Sequence, residues 1–460
     1  MFRGEGEPDL HYFAVKERKG TLRWPFFWLT AFYFVYCART QDYIPGLASI
    51  PMAKITGLLA MLGLVMSAGK TERKLHKLPI EAKYLFLLIA VLFTSAFVSP
   101  VSRADAFFNA LEFSKVYIAW ILTYLLVTTL PRLRRVIFIQ SASVATVSIA
   151  ALVKGHSVPR LAGVIGGFYS NPNDLAFGIV LCLPFCLAFL FTTKRVFSRI
   201  AWSLGIAMMV VALLLTASRA GFIALVISGA FCLWYFGVKQ KRRWFIAAYI
   251  IAGALVLLLA GGLLIQRFSS ISTGEGTAYG SYVERQLLIS RALDAIVNYP
   301  ILGVGAQNFT AYSGIWRNVH LSYLQIAAEA GIPGLILYLL FFWRGFVNLS
   351  RLRGLKNLDA QMQIFVGASQ ASLIGFVVGA SFAPEAYQFF PYFAVCYTSV
   401  MIAMAEEKRG VEIAGEPARV AAPRMRYADF FLNRGNRVLL TRPADGAALR
   451  RPDRSFRRFE

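Results

Sequence analysis

The chain has 460 residues, of which 57% are hydrophobic and 16% are charged, and its formal net charge is +24. Together with a mean hydropathy of +0.57, this composition excludes a single soluble globular domain and predicts an all-α, polytopic membrane protein. The basic residues are dispersed among short segments and a tail instead of forming one motif. Membrane topology and anionic lipid headgroups explain that distribution, so membrane lipids are expected partners and nucleic acid is not.

Apolar stretches long enough to cross a bilayer recur along the chain, since about 20 helical residues span the hydrocarbon core. We predict about twelve transmembrane helices. They lie near residues 24–38, 51–68, 80–99, 113–130, 136–153, 173–192, 198–215, 219–237, 244–265, 320–343, 361–382 and 386–404. The predicted organisation is a cytoplasmic segment over 1–23, a transmembrane domain over 24–404 with one large outer loop at 265–319, and a basic cytoplasmic tail over 405–460. The tail has no clear helical period and is expected to be disordered or to lie on the inner membrane surface.

Orientation follows from the distribution of Lys and Arg, because cationic loops stay on the cytoplasmic side during insertion. Every second connection is basic. The basic segments are 16–23, 70–77, 132–135, 194–195, 239–243 and 351–356. With an even number of spans, this pattern predicts that both termini are cytoplasmic and that the large loop is on the opposite side.

Motifs of soluble enzymes and ATP-driven pumps are absent from the sequence, including the P-loop and H-E-x-x-H patterns. The five cysteines all fall in apolar spans, where a thiol acts as a small hydrophobe, so we expect no disulfide framework, no metal site and no cofactor. Two classes remain: an enzyme that acts on a lipid-linked substrate at the outer face, and a secondary transporter. A transporter typically shows internal repeats and ionisable residues at mid-membrane, whereas this sequence shows no repeat and has its strongest charges at span ends.

The first candidate site segment is the glycine-rich loop 158–174, which ends at a predicted helix start. Its glycines let backbone approach a ligand closely, and Arg160 adds a cation. Asn173 or Asp174 can cap the exposed N–H groups of the following helix. An ordinary turn and helix cap explains the Asn-Pro-Asn part equally well.

The second candidate is Arg219, which stands between two spans in the short sequence Thr-Ala-Ser-Arg-Ala-Gly. A lone arginine on the side that topology leaves poor in cations indicates an anionic ligand. The alternative is that its side chain snorkels to the lipid headgroups.

The large outer loop carries a third candidate, Arg285. Apolar residues in the stretch 287–297 predict an amphipathic helix that lies along the surface and ends before Pro300. Arg285 then faces either water or the active cleft. Gly303 and Gly305 follow in a tight turn whose expected role is structural.

His320 lies at the start of the tenth predicted span. Since the ordinary pKa of imidazole is about 6.5, this side chain supplies a neutral base at external pH, which suits activation of a hydroxyl nucleophile. A capping or hydrogen-bonded structural histidine is the alternative. Glu329 lies about 13 Å deeper along a helix. We expect it to pair with an arginine and to be structural, because an unpaired carboxylate is costly there.

Four motifs together carry a resemblance to a known family. They are an R-x-x-G loop followed by N-P-N, an S-R-x-G hairpin, an arginine followed by N-Y-P-I-L-G-V-G, and the segment H-x-S-Y-L-Q-x-x-x-E-x-G-x-x-G. Their order and spacing over residues 155–345 resemble the O-antigen ligase and O-antigen polymerase superfamily of bacterial envelope proteins. One position departs from the family pattern: Leu321 stands where Asn is usual, which bears on activity or acceptor choice if that Asn contacts substrate or orients the histidine.

The resemblance implies a metal-independent membrane glycosyltransferase of GT-C-like architecture in the bacterial inner membrane, with a periplasmic active site. Such an enzyme takes a glycan from undecaprenyl diphosphate. A ligase passes it to an acceptor such as the lipid A core, and a polymerase passes it to another lipid-linked repeat unit. The ligase is favoured because the arginine-bearing helix and glycine turn before His320 are most similar to those of the ligases.

The resemblance also assigns roles to residues. Arg219 and Arg285 match the two functional arginines and are expected to bind the diphosphate, while His320 is expected to take the proton from the acceptor hydroxyl. Further substrate-binding candidates are Arg160, Asn171, Asn173, Arg291, Tyr323 and Gln325.

Overall fold

The computed structural model describes residues 22–42, 46–47, 49–67, 71, 73–154, 160–163, 169, 171–272, 277–355 and 358–415. Their regular structure is helical throughout, without a strand. The α-helices are α1 (Arg23–Ala38), α2 (Met52–Met66), α3 (Ile80–Val98), α4 (Arg103–Leu126), α5 (Leu130–Lys154), α6 (Pro172–Thr192), α7 (Val196–Leu215), α8 (Arg219–Cys232), α9 (Arg243–Ser272), α10 (Thr277–Asn298), α11 (Phe309–Tyr312), α12 (Ser322–Gly354), α13 (Ala360–Ala380) and α14 (Phe389–Gly415).

Each of the twelve predicted spans is helical, which confirms a polytopic, all-α membrane protein. Among the described residues, eight helices are long and apolar enough to cross a membrane. They are α3, α5, α6, α7, α8 with its π-helical continuation to Val238, α12, α13 and α14 to Lys408. Apolar but shorter are α2 and the stretch Arg243–Leu255 of α9.

Several helices extend beyond the predicted bounds, among them α4, α5, α9, α12 and α14. The charged first turns of α4 begin at Arg103, ten residues before the predicted start, and α14 continues to Gly415. Charged residues stay helical there because backbone hydrogen bonding and packing extend a helix beyond its apolar stretch. The cytoplasmic segment through Thr21 and the tail beyond Gly415 lie outside the described residues.

The centre of the bundle is α6, whose residues from Leu175 to Phe189 are all buried. It packs against α5, α7, α8 and α13. Glycines permit the closest of these contacts: a Cβ on Gly221 of α8 would lie 2.6 Å from the Cβ of Ala176, and one on Gly379 of α13 would overlap the ring of Phe177. Small residues at such crossings let helix backbones approach in the membrane. The start of α8 is thereby fixed beside the start of α6.

The helix α12 is broken near its first third at Gly331, whose φ of 71° and ψ of −177° are not helical. These angles are essentially restricted to glycine. The chain opposite the break is the turn after α10: Ile332 N–H donates to the carbonyl of Pro300 at 2.8 Å. A Cβ on Gly331 would lie only 2.3 Å from the carbonyl oxygen of Ile301. The break therefore accommodates the turn.

The turn after α10 uses the carbonyl groups that the break releases. Val304 N–H donates to Ala328 O at 2.9 Å, and Gly305 N–H donates to Glu329 O at 3.0 Å. Gly303 has a φ of +68°, and a Cβ there would meet the Glu329 backbone at 2.4 Å. The predicted structural role of this glycine turn is confirmed: it docks the segment after α10 onto α12.

The helix α10 ends at Asn298, before Pro300 as predicted. Its buried stripe consists of Leu288, Ala292 and Ala295, which pack with Val304 and Phe309 in a small apolar cluster. Three apolar residues of the stretch that predicted the helix are instead exposed: Leu287, Leu293 and Val297. Small alanines occupy the buried face because α10 lies close against the turn that it precedes.

Candidate functional site

One end of the bundle, here called the site end, collects residues 99–102, 160–163, 171–174, 215–219, 299–322 and 381–389. Its connections are joined by direct hydrogen bonds. Leu161 N–H donates to Leu215 O at 2.9 Å, Ser99 Oγ donates to Val304 O at 2.6 Å, and Ser322 Oγ donates to Ala383 O at 2.6 Å. All the segments singled out from the sequence have described residues at this end.

Arg219 is the first residue of α8. The preceding Ala217 has a φ of 48°, which reverses the chain after α7, and Ser218 caps α8 by accepting a hydrogen bond from Gly221 N–H at 3.2 Å. The N-terminus of a helix carries partial positive charge and attracts anions. A guanidinium at the same place adds to that positive potential, which favours an anionic ligand.

Arg160 is held beside this turn. Its Nε donates to the carbonyl of Thr216 at 3.0 Å, and its Nη2 donates to Asn173 Oδ1 at 3.2 Å. Asn171 caps α6 by accepting a hydrogen bond from Asn173 N–H at 2.9 Å. These three predicted site residues are therefore adjacent, and each makes a contact that shapes the loop before α6.

Arg219, Arg285 and His320 come from three separate elements, and Arg285 lies within electrostatic range of each of the other two. The pKa of Arg285 is lowered by burial and then by the charge of Arg219. The charge of Arg285 in turn acts on His320. Two guanidinium groups at this range repel each other, and an anion bound between them would stabilise the arrangement.

His320 is half-buried, and its pKa is lowered from 6.5 to about 4, first by burial and then by the charges of Arg285 and Arg317. The imidazole is therefore neutral at physiological pH and available to accept a proton. Its Nδ1 atom and the Oδ1 atom of Asn318 are both buried and make no hydrogen bond to the described residues. Buried polar atoms of this kind are normally satisfied by water or ligand.

Arg317 belongs to the surroundings of the histidine, although the sequence analysis did not single it out. Its guanidinium makes an ion pair with Glu284 of α10 at 2.6 Å, which ties the segment before His320 to the helix that carries Arg285. The feature of the sequence that could have indicated Arg317 was its position three residues before His320.

Leu321 occupies the N-cap position of α12 and makes no side-chain cap hydrogen bond. Asparagine is among the best N-cap residues, and leucine among the poorest. The residue by which this chain departs from the family pattern thus lies at the N-cap position of a helix, next to the histidine, and does not cap that helix with its side chain.

Glu329 is buried, and the described residues offer it no arginine partner, so the expected pairing is wrong. Its Oε2 atom accepts hydrogen bonds from Tyr387 Oη at 2.6 Å and from Gln307 N–H at 3.0 Å. These donors come from residues distant in sequence. Gln325, a predicted substrate-binding residue, is buried one helical turn before Glu329.

Two further candidates lie apart from the cluster. Arg291 is exposed and lies six residues after Arg285 on α10, about 240° around the helix. Tyr323 donates its hydroxyl to the carbonyl of Val377 at 2.9 Å, which ties α12 to α13.

The described residues contain no group of three or more side chains suited to hold a metal ion. They do place two carboxyl groups side by side. One is Asp174, in the first turn of α6, and the other is Glu385, in the segment before α14. The sequence analysis treated Asp174 only as a possible cap and assigned Glu385 no role.

Clustered arginines and a neutral histidine at one end of an all-helical membrane protein are suited to bind an anionic ligand. Residues 204–339, about 30% of the chain, match the family model described as O-antigen ligase. Over this stretch, the match supports the resemblance to the O-antigen ligase and polymerase superfamily. It includes Arg219, Arg285 and His320. No curated protein matches the chain.

Proposed function

We propose that this protein is a membrane glycosyltransferase that moves a glycan from undecaprenyl diphosphate to an acceptor such as the lipid A core at the periplasmic face of the inner membrane. The observation that carries the proposal is the convergence of Arg219, Arg285 and His320 at one end of the bundle. The family match supports the class of enzyme.

In this proposal the two arginines bind the diphosphate of the donor. When the bond between the anomeric carbon and the diphosphate oxygen breaks, negative charge grows on the leaving group. Two guanidinium groups and the N-terminus of α8 stabilise that charge, and they do so without reorganising.

His320 accepts the proton of the acceptor hydroxyl while the acceptor oxygen bonds to the anomeric carbon. The products are the extended acceptor and free undecaprenyl diphosphate. In the free protein a pKa of about 4 keeps the imidazole unprotonated. Binding of an anionic diphosphate beside Arg285 offsets the positive charge that contributes to this low pKa, and so makes the imidazole a stronger base.

The remaining candidates have supporting roles. Arg160 and Asn173 fix the turn that carries Arg219, while Asn171 caps α6. Gln325 and Tyr323 belong to the helix that follows His320, and Arg291 is available for the glycan that extends along α10.

The test is glycan transfer in membranes supplied with purified donor and lipid A-core acceptor. The variants are His320→Gln, Arg219→Gln and Arg285→Gln, with Arg351→Gln at the opposite end of the bundle as the matched control. Loss of a general base or of a charge-stabilising donor typically slows a reaction by about 10²-fold or more. We expect that loss for the three site variants at unchanged membrane insertion, and wild-type rates for the control.

If all four variants transfer glycan like the wild type, the arginines and the histidine are structural and the proposal is wrong. Transport of the donor that survives all three site substitutions would instead favour a transporter. The acceptor that the wild type extends distinguishes a ligase from a polymerase, because a polymerase extends another lipid-linked repeat unit.

A further inference from the structure

A groove with a volume of about 600 Å³ lies between α1, α2 and α4 and reaches the site end. Its volume is within the range of small-molecule binding sites. No residue assigned to the donor diphosphate or to proton transfer lines it. We call it the α2–α4 groove.

The inner part of the α2–α4 groove is apolar. Its walls include Phe32, Leu58, Met61, Ile118 and Leu122. Leu58 is 60% exposed and Ile118 is 43% exposed, although both belong to helices in the membrane domain. Part of the apolar wall is therefore open to the surface of the bundle.

The mouth of the α2–α4 groove is polar and has an excess of positive charge. Three cations line it: Arg39, Lys54 and Lys115. Arg39 pairs with Asp42 at 2.5 Å, and Glu112 pairs with both lysines, at 3.7 Å for Lys54. Three cations shared between two carboxylates leave one net positive charge, and Lys54 is 62% exposed on its side chain. An anionic group is the complementary ligand for this mouth.

The groove also provides uncharged hydrogen-bonding groups at its end nearest the site. Gln41 and Gln307 line it, and so does Tyr387. Gln307 and Tyr387 are the two donors to Glu329, the residue whose backbone holds the turn after α10. The end of the groove is thus connected by hydrogen bonds to the helix that follows His320. Amide side chains both donate and accept, which suits sugar hydroxyl groups.

We infer that the α2–α4 groove binds the acceptor as a phosphorylated glycolipid, with its acyl chains along the apolar walls and its phosphate at Lys54. The inference rests on the proposed function, and it goes further by assigning the acceptor a binding site of its own, separate from that of the donor. A simple phospholipid lacks the sugar hydroxyl groups that the polar end would bind.

The test compares Leu58→Trp, which fills the groove, with Leu62→Trp, which places the same side chain on the same helix outside the groove, where Leu62 is 48% exposed. Kinetics are measured at saturating donor with lipid A-core glycolipid as the varied acceptor. We expect Leu58→Trp to raise the KM for the glycolipid by at least about 10-fold with kcat little changed, the pattern that follows loss of uniform binding. Leu62→Trp should leave both constants unchanged.

A second pair of variants tests the charge at the mouth. Lys54→Glu should raise the KM for the glycolipid, whereas Lys54→Arg, which keeps the positive charge, should leave the KM close to that of the wild type. Removal of the phosphates from the glycolipid should abolish the difference in KM between the two variants. An unchanged KM in Leu58→Trp and Lys54→Glu, or an equal change in Leu62→Trp, would overturn the inference.

Binding without turnover separates this inference from the proposed function. In detergent-purified protein, native mass spectrometry measures retention of the glycolipid in competition with phosphatidylglycerol. Retention that Leu58→Trp removes supports the groove even if no transfer is detected, whereas equal displacement by phosphatidylglycerol shows a general lipid site and overturns the inference. Transfer by the wild type with unaltered glycolipid binding in Leu58→Trp would leave the proposed function standing and the groove assignment wrong.

Discussion

At the scale of single residues, the site depends on the effect of neighbouring charges on groups that are ordinary in isolation. His320 has a pKa of about 4 because it is half-buried beside Arg285 and Arg317. The histidine was recognisable from its position in the sequence. Its lowered pKa was not, because Arg285 is 35 residues away in sequence and comes close to His320 only when α10 packs in the folded protein. Arg317 is the charged neighbour of His320 that has no proposed role in binding the diphosphate, although it pairs with Glu284 next to Arg285.

The first prediction concerns this charge. Arg317→Gln removes one of the influences that lower the pKa of His320, so we expect that pKa to rise towards 6.5. Histidine NMR in detergent measures it directly, because the chain has only four histidines and His320→Gln identifies the signal. Arg351→Gln, remote from the site, is the control. If the pKa of His320 is 6.5 in the wild type and does not respond to Arg317→Gln, then the arrangement described here is wrong.

The same pKa has a consequence for stability. A histidine whose pKa is lower in the folded state than in the unfolded state binds its proton more readily after unfolding. The contribution of His320 therefore destabilises the fold as pH falls from about 6.5 towards 4, and has no effect above that window. The pH profile of unfolding should be shallower over this interval in His320→Gln.

The second prediction concerns Leu321 at the N-cap of α12. Leu321→Asn and Leu321→Ala both remove the leucine side chain from its apolar neighbours, but only asparagine can cap the helix. We expect the asparagine variant to be more stable than the alanine variant by about 1 kcal/mol in free energy of unfolding. Denaturant unfolding in detergent measures the difference. Equal stability of the two variants would argue that position 321 has a role other than capping.

At the scale of helices and turns, the site depends on a break in α12 and the turn that fills it. The amides of Val304 and Gly305 hydrogen-bond to carbonyl groups next to the break, and this contact sets the position of α10. Periodicity in the sequence predicted α10 and its end before Pro300. It did not reveal the break at Gly331, because the motif E-x-G-I-P-G remains apolar and continuous in a hydropathy profile.

The third prediction tests this contact with three glycine substitutions. Gly331→Ala combines a glycine-only conformation with a clash, so we expect it to lower the free energy of unfolding by about 3 kcal/mol. Gly314 has a φ of +72° but open space around it, and Gly354 has open space without a positive φ. Gly314→Ala should therefore cost about 1 kcal/mol, and Gly354→Ala close to none.

Hydrogen exchange supplies the structural readout for the same variants. If the turn docks α10, its amides should exchange faster in Gly331→Ala than in either control, because the local contact that protects them is weakened. Unchanged exchange in α10 together with lost stability would mean that the break supports α12 alone.

At the scale of the whole molecule, alternating helices bring the candidate segments to one end of the bundle and the basic connections to the other. At the opposite end, Arg73 donates to Glu407 at 2.8 Å and to the carbonyl of Tyr124 at 2.7 Å. This buried arginine ties the ends of α4 and α14 together. The Arg73 side chain is buried while that of Glu407 is 44% exposed, and the contact holds these helices together at the end far from the site.

The fourth prediction concerns orientation in the membrane. The positive-inside pattern places the site end outside, so a cysteine at Trp316, which is 76% exposed, should react with a membrane-impermeant maleimide in cells with an intact inner membrane. Lys241→Cys, on the basic side, should react only after that membrane is opened. The five natural cysteines are buried and give a low background. The reverse pattern of labelling would invert the topology and place the site in the cytoplasm.

The sequence by itself determined the class of fold and the helical spans, and it predicted candidate site residues. Hydropathy shows where helices cross a bilayer because burial in lipid is a local property of each segment, and the motifs around Arg219, Arg285 and His320 are local as well. The tertiary structure decided what depends on contacts between distant segments. Glu329 pairs with Tyr387 and Gln307 instead of an arginine, and the groove at Leu58 exists only because α2 and α4 leave space between them. Such contacts form where packing brings separate helices together, and a one-dimensional pattern carries no information on that distance.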